Sequence, residues 1–178
     1  GRPHRRPRAG AQRMSSENGQ TVAVIGAGLV GSLLALVLAK RGHKVTVYER
    51  RSDPRKVGDA AGRSINLALS ERGWRALEVA GAMDAVRQIA MPVKARCMHD
   101  NAGALTYQPY GLPGRGRFGD DECIYSVARG PLNRILLEEA ESTGLVDVKF
   151  EHAVIGMHFK IGFLSPQPLS NLRGERRV

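Results

Sequence analysis

The sequence has little of what several functional classes require. Cys97 and Cys123 are its two cysteines and do not form a C-x-x-C pair, so we interpret them as reduced thiols of an intracellular protein. Its five histidines lack metal-ligand spacing, and His99 is interpreted as a structural residue. The longest apolar run, Leu33 to Ala39, is far shorter than the roughly 18 residues that a membrane span needs. No catalytic constellation of Ser, Cys and His is evident.

Charge is plentiful but unevenly placed. The net charge is +10, of which residues 1–13 supply +5 and residues 160–178 supply +3. This leaves +2 for residues 14–159, so the globular part is nearly neutral. A basic patch interleaved with aromatic residues is missing, and aromatic residues are only 5% of the chain. We therefore predict no nucleic-acid partner and a disordered basic arm at residues 1–20.

Three glycines follow a short apolar run near the start of the chain. Val22 to Ile25 is typical of a buried parallel strand, and Gly26, Gly28 and Gly31 follow it in G-x-G-x-x-G spacing. In such a turn the first glycine permits the tight bend and the second lets the backbone approach a pyrophosphate. The third lets the helix pack closely on the strand. The phosphates would then meet free N–H groups at the positive end of the helix dipole.

The residues after the glycines complete the pattern. A strongly apolar helix ends at Gly42, Lys44 to Tyr48 predicts a second strand, and Glu49 lies 18 residues beyond Gly31. A carboxylate at that place accepts hydrogen bonds from a ribose hydroxyl pair. An ordinary βαβ turn with glycines kept for packing is the alternative. Strand, glycines, helix, second strand and acid all occur within about 30 residues, so we favour a dinucleotide site.

Further segments resemble a known family. These are GAGLVGS, VYERR, GRSINLALSERG, KARCMH, PYG and YSVARGPLNRILLEEAE. Over about residues 22–155 the chain is similar to the N-terminal portion of the kynurenine 3-monooxygenase family, which belongs to the flavin-dependent aromatic hydroxylases. Ala35 and Gly42 also fit the extended flavoprotein pattern.

The resemblance implies a function. It implies an FAD-dependent enzyme that consumes NADPH and O2 to hydroxylate L-kynurenine to 3-hydroxykynurenine in tryptophan degradation. Because the flavin carries the chemistry, no catalytic side chain is assigned.

Two other hypotheses stay open. One is an NAD-dependent dehydrogenase, with which Glu49 is compatible. The other is a non-enzymatic basic fragment that binds through its arginine tails.

The resemblance also implies cofactor-binding residues. They are Gly26, Gly28, Val30 and Gly31 in the glycine turn, Tyr48, Glu49, Arg50 and Arg51 at the tip of the second strand, and Ala68, Arg129 and Val154 (a Leu in relatives). Arg129 is of the right type to pair with a flavin phosphate or carbonyl, with a surface charge at a helix start as the alternative. Arg63 and Asn66 have weaker support.

Two substrate-binding residues are implied in the same way. Arg96 matches the arginine that holds the carboxylate of kynurenine, and Tyr110 matches a tyrosine beside it. A guanidinium fork fits a carboxylate bidentately, so the residue type is suitable. Without the resemblance, Arg96 would be interpreted as a solvated strand residue.

The predicted fold class is α/β, a Rossmann-like FAD-binding βαβ fold with the beginning of a β-rich substrate domain. After the arm, we expect FAD-binding parts at residues 21–93 and 129–155, substrate-domain strands at 94–128, and an unrelated tail without a packing face at 156–178.

The loop between Gly111 and Cys123 is longer than in relatives. We expect the C-terminal part of the family fold to be missing and this chain to be a truncated form that is inactive alone. The resemblance implies a location on the mitochondrial outer membrane, which in the family depends on a C-terminal anchor that we expect this chain to lack.

Overall fold

The computed structural model describes residues 19–57, 66–158 and 163–168. Arg63, most of the predicted basic arm and most of the predicted tail lie outside this part. In chain order the elements of the described part are β1 (Thr21–Ile25), α1 (Leu29–Lys40), β2 (Lys44–Tyr48), α2 (Pro54–Val57), β3 (Asn66–Leu69), α3 (Glu71–Ala80), α4 (Met83–Arg87), β4 (Met91–Val93), β5 (Ala95–His99), β6 (Leu105–Pro109), β7 (Ile124–Ala128), α5 (Arg129–Ser142), β8 (Val146–Lys149), β9 (His152–His158) and β10 (Phe163–Pro168).

A parallel sheet of order β1-β2-β8 organises the described chain. β1 and β2 pair from Thr21 with Lys44 to Ile25 with Tyr48, and α1 connects them. Parallel neighbours need such a crossover, so β1, α1 and β2 form the βαβ unit that the glycine spacing predicts. The α/β fold class is confirmed.

The hydrophobic core lies where two helices pack against this sheet. α1 and α5 lie beside each other, and β2, the middle strand, buries Val45 and Val47 almost completely. The helices contribute small and branched apolar residues at helical spacing, namely Ala35, Leu36, Ala39, Leu132, Leu136, Leu137 and Ala140. α3 adds Trp74, which is 2% exposed. This packing fixes the N-terminal ends of α1 and α5 close to one another, and the candidate site lies there.

Two smaller β-structures follow. β3, β7 and β4 form an antiparallel sheet of order β3-β7-β4, and β5 pairs with β6 as a separate hairpin. β7 lies in the predicted substrate-domain segment, residues 94–128. It nevertheless pairs with β3, which lies in the first predicted FAD-binding part, residues 21–93. Met91–Val93 forms strand β4, in which Pro92 pairs opposite Tyr125. Proline is tolerated here because β4 is an edge strand.

Two predicted boundaries differ from the structure, that of the basic arm and that of the tail. Gly19 and Gln20 were placed in the disordered arm, but the Gln20 carbonyl accepts the Lys44 N–H at 2.9 Å, which extends the strand pairing. The polar segment after Arg50 contains the short helix α2, which Asp53 caps by accepting the Arg55 N–H at 2.9 Å.

The predicted tail contains a strand, because β10 pairs antiparallel with β9. The pairing register shifts between Ser165 and Pro166. A bulge of this kind accommodates a proline, which has no N–H to donate to the ladder.

Candidate functional site

The glycine turn joins β1 to α1 and is shaped by backbone sterics. Gly26 has φ +95°, a conformation that side chains disfavour, and its N–H donates to the Tyr48 carbonyl at 2.8 Å. A Cβ on Gly31 would lie 1.9 Å from the Gly26 carbonyl oxygen, so only glycine allows this approach of helix to turn. A Cβ on Gly28 would meet nothing within 4 Å. The backbone at Gly28 therefore faces open space.

No side chain caps the start of α1. The first N–H groups of a helix have no partner within it, and they lie at the positive end of the helix dipole. Val30, in this first turn, is 82% exposed. The turn therefore presents amide donors and an exposed apolar side chain side by side. The amides suit an anionic group such as a phosphate, and the apolar side chain suits a flat organic ring attached to it.

Glu49 lies across from the turn at the end of β2. Its Oε2 accepts the Ala27 N–H at 2.8 Å and its Oε1 accepts the Arg51 N–H at 2.9 Å. Both carboxylate oxygens are thus held in place by backbone donors, and each keeps lone pairs for a further donor. The side chain is half-buried. This arrangement places a fixed acceptor beside the glycine turn.

The far side of the same turn contacts α5. The Asn133 side chain donates from Nδ2 to the Ala27 carbonyl at 3.0 Å. The Ser32 hydroxyl, fully buried, lies 3.1 Å from that carbonyl and 3.3 Å from Asn133 Oδ1, and with one hydrogen it donates to one of them at a time. Ala27 is therefore held from both sides.

The strand tip after Glu49 is paired to the start of β9. The Glu151 N–H donates to the Arg51 carbonyl at 3.1 Å, and the His152 N–H donates to the Glu49 carbonyl at 2.9 Å. Val154 follows in β9 and is half-buried. The structure thus brings Val154, Arg51 and Glu49 to one end of the sheet, while Arg50 and Arg51 are exposed there.

Three further predicted residues, Ala68, Arg129 and Asn66, lie on neighbouring elements. Ala68 in β3 pairs with Ser126 in β7, and β7 runs directly into α5. Arg129 is the first residue of α5 and is exposed. It precedes Asn133 by four residues, so the two share a face of the helix. This places Arg129 on the face that contacts the glycine turn. Asn66, at the start of β3, is exposed.

The predicted substrate residues lie together on the β5–β6 hairpin. The Arg96 guanidinium carbon is 5.8 Å from the centre of the Tyr110 ring. Tyr110 follows β6, and its N–H donates to the Lys94 carbonyl at 2.9 Å. This hydrogen bond closes the hairpin and fixes the tyrosine beside the arginine. Both side chains are exposed.

The segment from Leu112 to Glu122 packs on α3. Arg117 forms ion pairs with Glu71 (2.6 Å) and Glu78 (3.1 Å), and this guanidinium lowers the pKa of the Glu71 carboxyl. Phe118 contacts Trp74 edge-on, with ring centres 5.1 Å apart. Between this segment and α3 lies a cavity of about 560 Å³ that Tyr110 also lines. The segment is therefore anchored by charge and by an aromatic contact.

A partly buried ion-pair cluster ties the strand tip to α5. Arg55 contacts Asp53 at 2.9 Å and also pairs with Glu141 near the end of α5. Hydrogen bonds from Arg55 hold the pKa of the Asp53 carboxyl below its usual range. Arg55 also lies 5.6 Å from the Phe150 ring. The segment that follows Glu49 is thereby fixed to the helix that carries Asn133.

Sequence reasoning missed Asn133, Ser32, Arg55 and Arg117. A signal for Asn133 was present, since it lies four residues after Arg129 on one helix. Each of the other three has one partner distant in sequence, which is Asn133 for Ser32, Glu141 for Arg55 and Glu71 for Arg117. Among the described residues no group of acidic, cysteine and histidine side chains is arranged to hold a metal ion.

A sequence comparison identifies the family. The profile described as "FAD dependent oxidoreductase" (DAO) matches residues 21–156, which include the glycine turn, Glu49 and most of β9. The chain belongs to the FAD dependent oxidoreductase family. Its residues fit the cofactor, because open amides for a pyrophosphate and a fixed carboxylate for a ribose lie on either side of one turn.

Individual relatives agree with the resemblance found in the sequence. Kynurenine 3-monooxygenase of Christiangramia forsetii is 48% identical over 139 residues, which is 78% of this chain and 29% of that protein. The enzyme of the same name from Anopheles gambiae is 44% identical over 144 residues, 81% of this chain and 28% of that protein. The resemblance is confirmed. The chain spans about three tenths of the length of these relatives.

Solved structures support the fold. The Y270F mutant of MHPCO, a 2-methyl-3-hydroxypyridine-5-carboxylic acid oxygenase, superposes with a TM-score of 0.64 at 24% identity. The match covers 85% of this chain and 36% of that one. A PqsL mutant of P. aeruginosa gives a TM-score of 0.63 at 21% identity, and the match covers 83% of this chain and 38% of that one.

Within residues 19–57, 66–158 and 163–168, no helix has the length and hydropathy of a membrane span.

Proposed function

We propose that the glycine turn of this chain binds FAD and that the chain serves a flavin-dependent monooxygenase that hydroxylates L-kynurenine to 3-hydroxykynurenine with NADPH and O2. One observation carries the proposal. The Glu49 carboxylate is fixed 2.8 Å from the Ala27 N–H, directly across from the open backbone at Gly28. The identity of 44–48% to two kynurenine 3-monooxygenases supports the choice of substrate.

Each cofactor-binding residue has a physical role in this proposal. The amides at Gly28 and in the first turn of α1 bind the pyrophosphate, and Glu49 accepts hydrogen bonds from the ribose hydroxyls. Arg129 supplies a positive charge from the α5 face that contacts the turn. Tyr48, Arg50, Arg51, Ala68 and Val154 line the surrounding surface. Bound FAD supplies the redox chemistry that oxygen transfer requires, which no amino-acid side chain provides.

Arg96 and Tyr110 are proposed to bind the substrate. The guanidinium offers a planar pair of donors to the carboxylate of kynurenine, and the tyrosine ring beside it restricts where that carboxylate can lie. Both residues stand on a hairpin, so their separation is set by strand pairing rather than by a loop.

The proposal also covers the activity and the location of the chain. We propose that the chain alone binds FAD without hydroxylating kynurenine, because it spans about three tenths of the relatives' length. Purified chain that hydroxylates kynurenine with NADPH contradicts this part. A location on the mitochondrial outer membrane is what the resemblance implies and stays a prediction.

The proposal is tested by titrating the purified 178-residue chain with FAD. We expect saturable quenching of flavin fluorescence with one FAD per chain, and no competition from NAD. Binding of NAD in place of FAD contradicts the flavin assignment and favours the dehydrogenase hypothesis. Saturation that is lost entirely at moderate salt indicates nonspecific binding through the basic tails.

The variant Gly28→Ala separates binding from folding. Its Cβ meets no protein atom within 4 Å and its φ of −76° suits any residue, so the unliganded fold is expected to keep its stability. The methyl group would occupy the space through which the pyrophosphate approaches, and we expect the FAD dissociation constant to rise at least about tenfold. Gly156→Ala in β9 is the matched control, since its Cβ also meets nothing within 4 Å. Equal FAD affinity of both variants contradicts the site.

A further inference from the structure

The peptide groups around Ala27 are held by two side chains from different elements. The Ala27 N–H donates to Glu49 Oε2 at 2.8 Å, and the Ala27 carbonyl accepts from Asn133 Nδ2 at 3.0 Å. Glu49 directly follows β2, whereas Asn133 lies in α5, more than 100 residues from the turn. Both polar groups of the middle residue of the G-A-G sequence are therefore satisfied by side chains.

The orientation of the Ala27 carbonyl determines that of the Gly28 amide. Carbonyl and N–H of one trans peptide point in opposite directions, because the six atoms of the unit are planar. Since the Ala27 carbonyl points to Asn133 on α5, the Gly28 N–H points away from α5. If this peptide were flipped, its carbonyl oxygen would point away from α5, toward the place where we propose that the pyrophosphate binds. That oxygen carries a partial negative charge and would repel the phosphate.

The chemistry of the asparagine suits this task. Its amide donates to the carbonyl, and the fully buried Ser32 hydroxyl stands beside both groups. An aspartate would be isosteric, yet when ionised it offers only acceptors to a carbonyl oxygen and adds a negative charge near an anionic ligand. An alanine would leave the carbonyl with Ser32 as its remaining side-chain donor.

We infer that Asn133 is a positioning residue for the phosphate-binding turn: it holds the Ala27–Gly28 peptide so that the Gly28 N–H faces the pyrophosphate of the dinucleotide. Asn133 acts through the backbone and touches no ligand atom. The inference rests on the proposed FAD site and extends it to α5, which carries no part of the glycine motif.

The test compares FAD affinity with the stability of the FAD-free chain. In N133A we expect the FAD dissociation constant to rise by about threefold to tenfold, the range set by one hydrogen bond, while the melting temperature of the FAD-free chain falls by no more than about 4 °C. Ile135→Val is the matched control on the same helix, because Ile135 packs against the core and makes none of the hydrogen bonds to Ala27. It is expected to lower the melting temperature and to leave the dissociation constant unchanged.

The isosteric variant N133D adds a readout that a packing role would not change. At pH 7.5 its carboxylate faces the Ala27 carbonyl, and we expect FAD affinity to fall more than about tenfold. The carboxyl of an unperturbed aspartate has a pKa of about 3.9, so it becomes a donor progressively as the pH is lowered toward 4, and affinity relative to wild type is expected to recover in part.

Two outcomes separate this inference from the proposed function. A wild-type chain that binds no FAD contradicts both together. A wild-type chain that binds FAD, with N133A of equal affinity or N133D of pH-independent relative affinity, overturns only the role of Asn133.

Discussion

At the scale of single residues, Glu49 links the strand tip to the glycine turn. Its two oxygens accept the Ala27 and Arg51 amides at 2.8 and 2.9 Å. In E49Q one oxygen becomes an NH2 group, which faces one of these donors and cannot accept from it. We expect a loss of about 1 kcal/mol in the free energy of unfolding and a FAD dissociation constant higher by about tenfold, because a ribose hydroxyl also loses its charged acceptor.

Urea unfolding and flavin fluorescence titration measure the two effects. Glu138→Gln is the matched control, since Glu138 is an exposed residue of α5. It should change neither quantity measurably. An E49Q chain with wild-type FAD affinity would show that the carboxylate serves the turn alone and does not reach the ribose.

Prediction from sequence succeeded at this scale where the constraint is local. Gly26 and Gly31 are required by backbone sterics within six residues, so their spacing alone indicates the turn. The contact between Ser32 and Asn133 joins residues 101 positions apart. Such a pair depends on how α1 and α5 cross, and no local pattern specifies that packing.

At the scale of elements, the pairing of Asp53 with Arg55 holds α2 against α5. The pKa of Asp53 is lowered by the Arg55 hydrogen bonds, so the folded state binds the proton more weakly than the unfolded chain. The stabilisation is therefore fully present above the unfolded pKa of about 3.9 and is lost as the pH falls through the lower folded value. Asparagine also caps helices, so D53N removes the charge and keeps the cap.

We expect D53N to lower the free energy of unfolding by about 1 kcal/mol at pH 7 and by less at about pH 3, because the stabilisation declines once the pH is below the unfolded pKa of about 3.9. Urea unfolding of wild type and variant at both pH values measures this. Asp147→Asn is the control, because its 2.7 Å pair with Lys149 is solvent-exposed and should contribute little at either pH. An effect of D53N that stays constant with pH would contradict the charge-based account.

The elements themselves were predictable to different degrees. β1, α1 and β2 follow from apolar runs, glycines and spacing within one contiguous segment. β4 and β10 were missed because each contains proline and has little periodicity. They exist because a partner strand, β7 or β9, offers an edge to pair with.

At the scale of the whole chain, burial is unequal between the parallel sheet and the hairpin. β2 lies in the middle of its sheet, with Val45 2% and Val47 0% exposed. In the β5–β6 hairpin no residue is buried. Regions with few buried contacts open locally at low free energy, whereas a central strand opens only when the domain unfolds. The chain should therefore unfold in at least two steps, with the hairpin first.

Hydrogen exchange with and without FAD tests this division. FAD at about 100 times its dissociation constant raises the free energy of global unfolding by about 2.7 kcal/mol, which corresponds to a roughly hundredfold slower exchange. We expect this slowing for the amides of β2 and no comparable change for β5 and β6, because their local opening leaves the glycine turn folded. Equal slowing of both regions would mean that the hairpin opens only with the whole chain. Slowing of the hairpin alone would place the ligand at Arg96 and Tyr110 instead of at the turn.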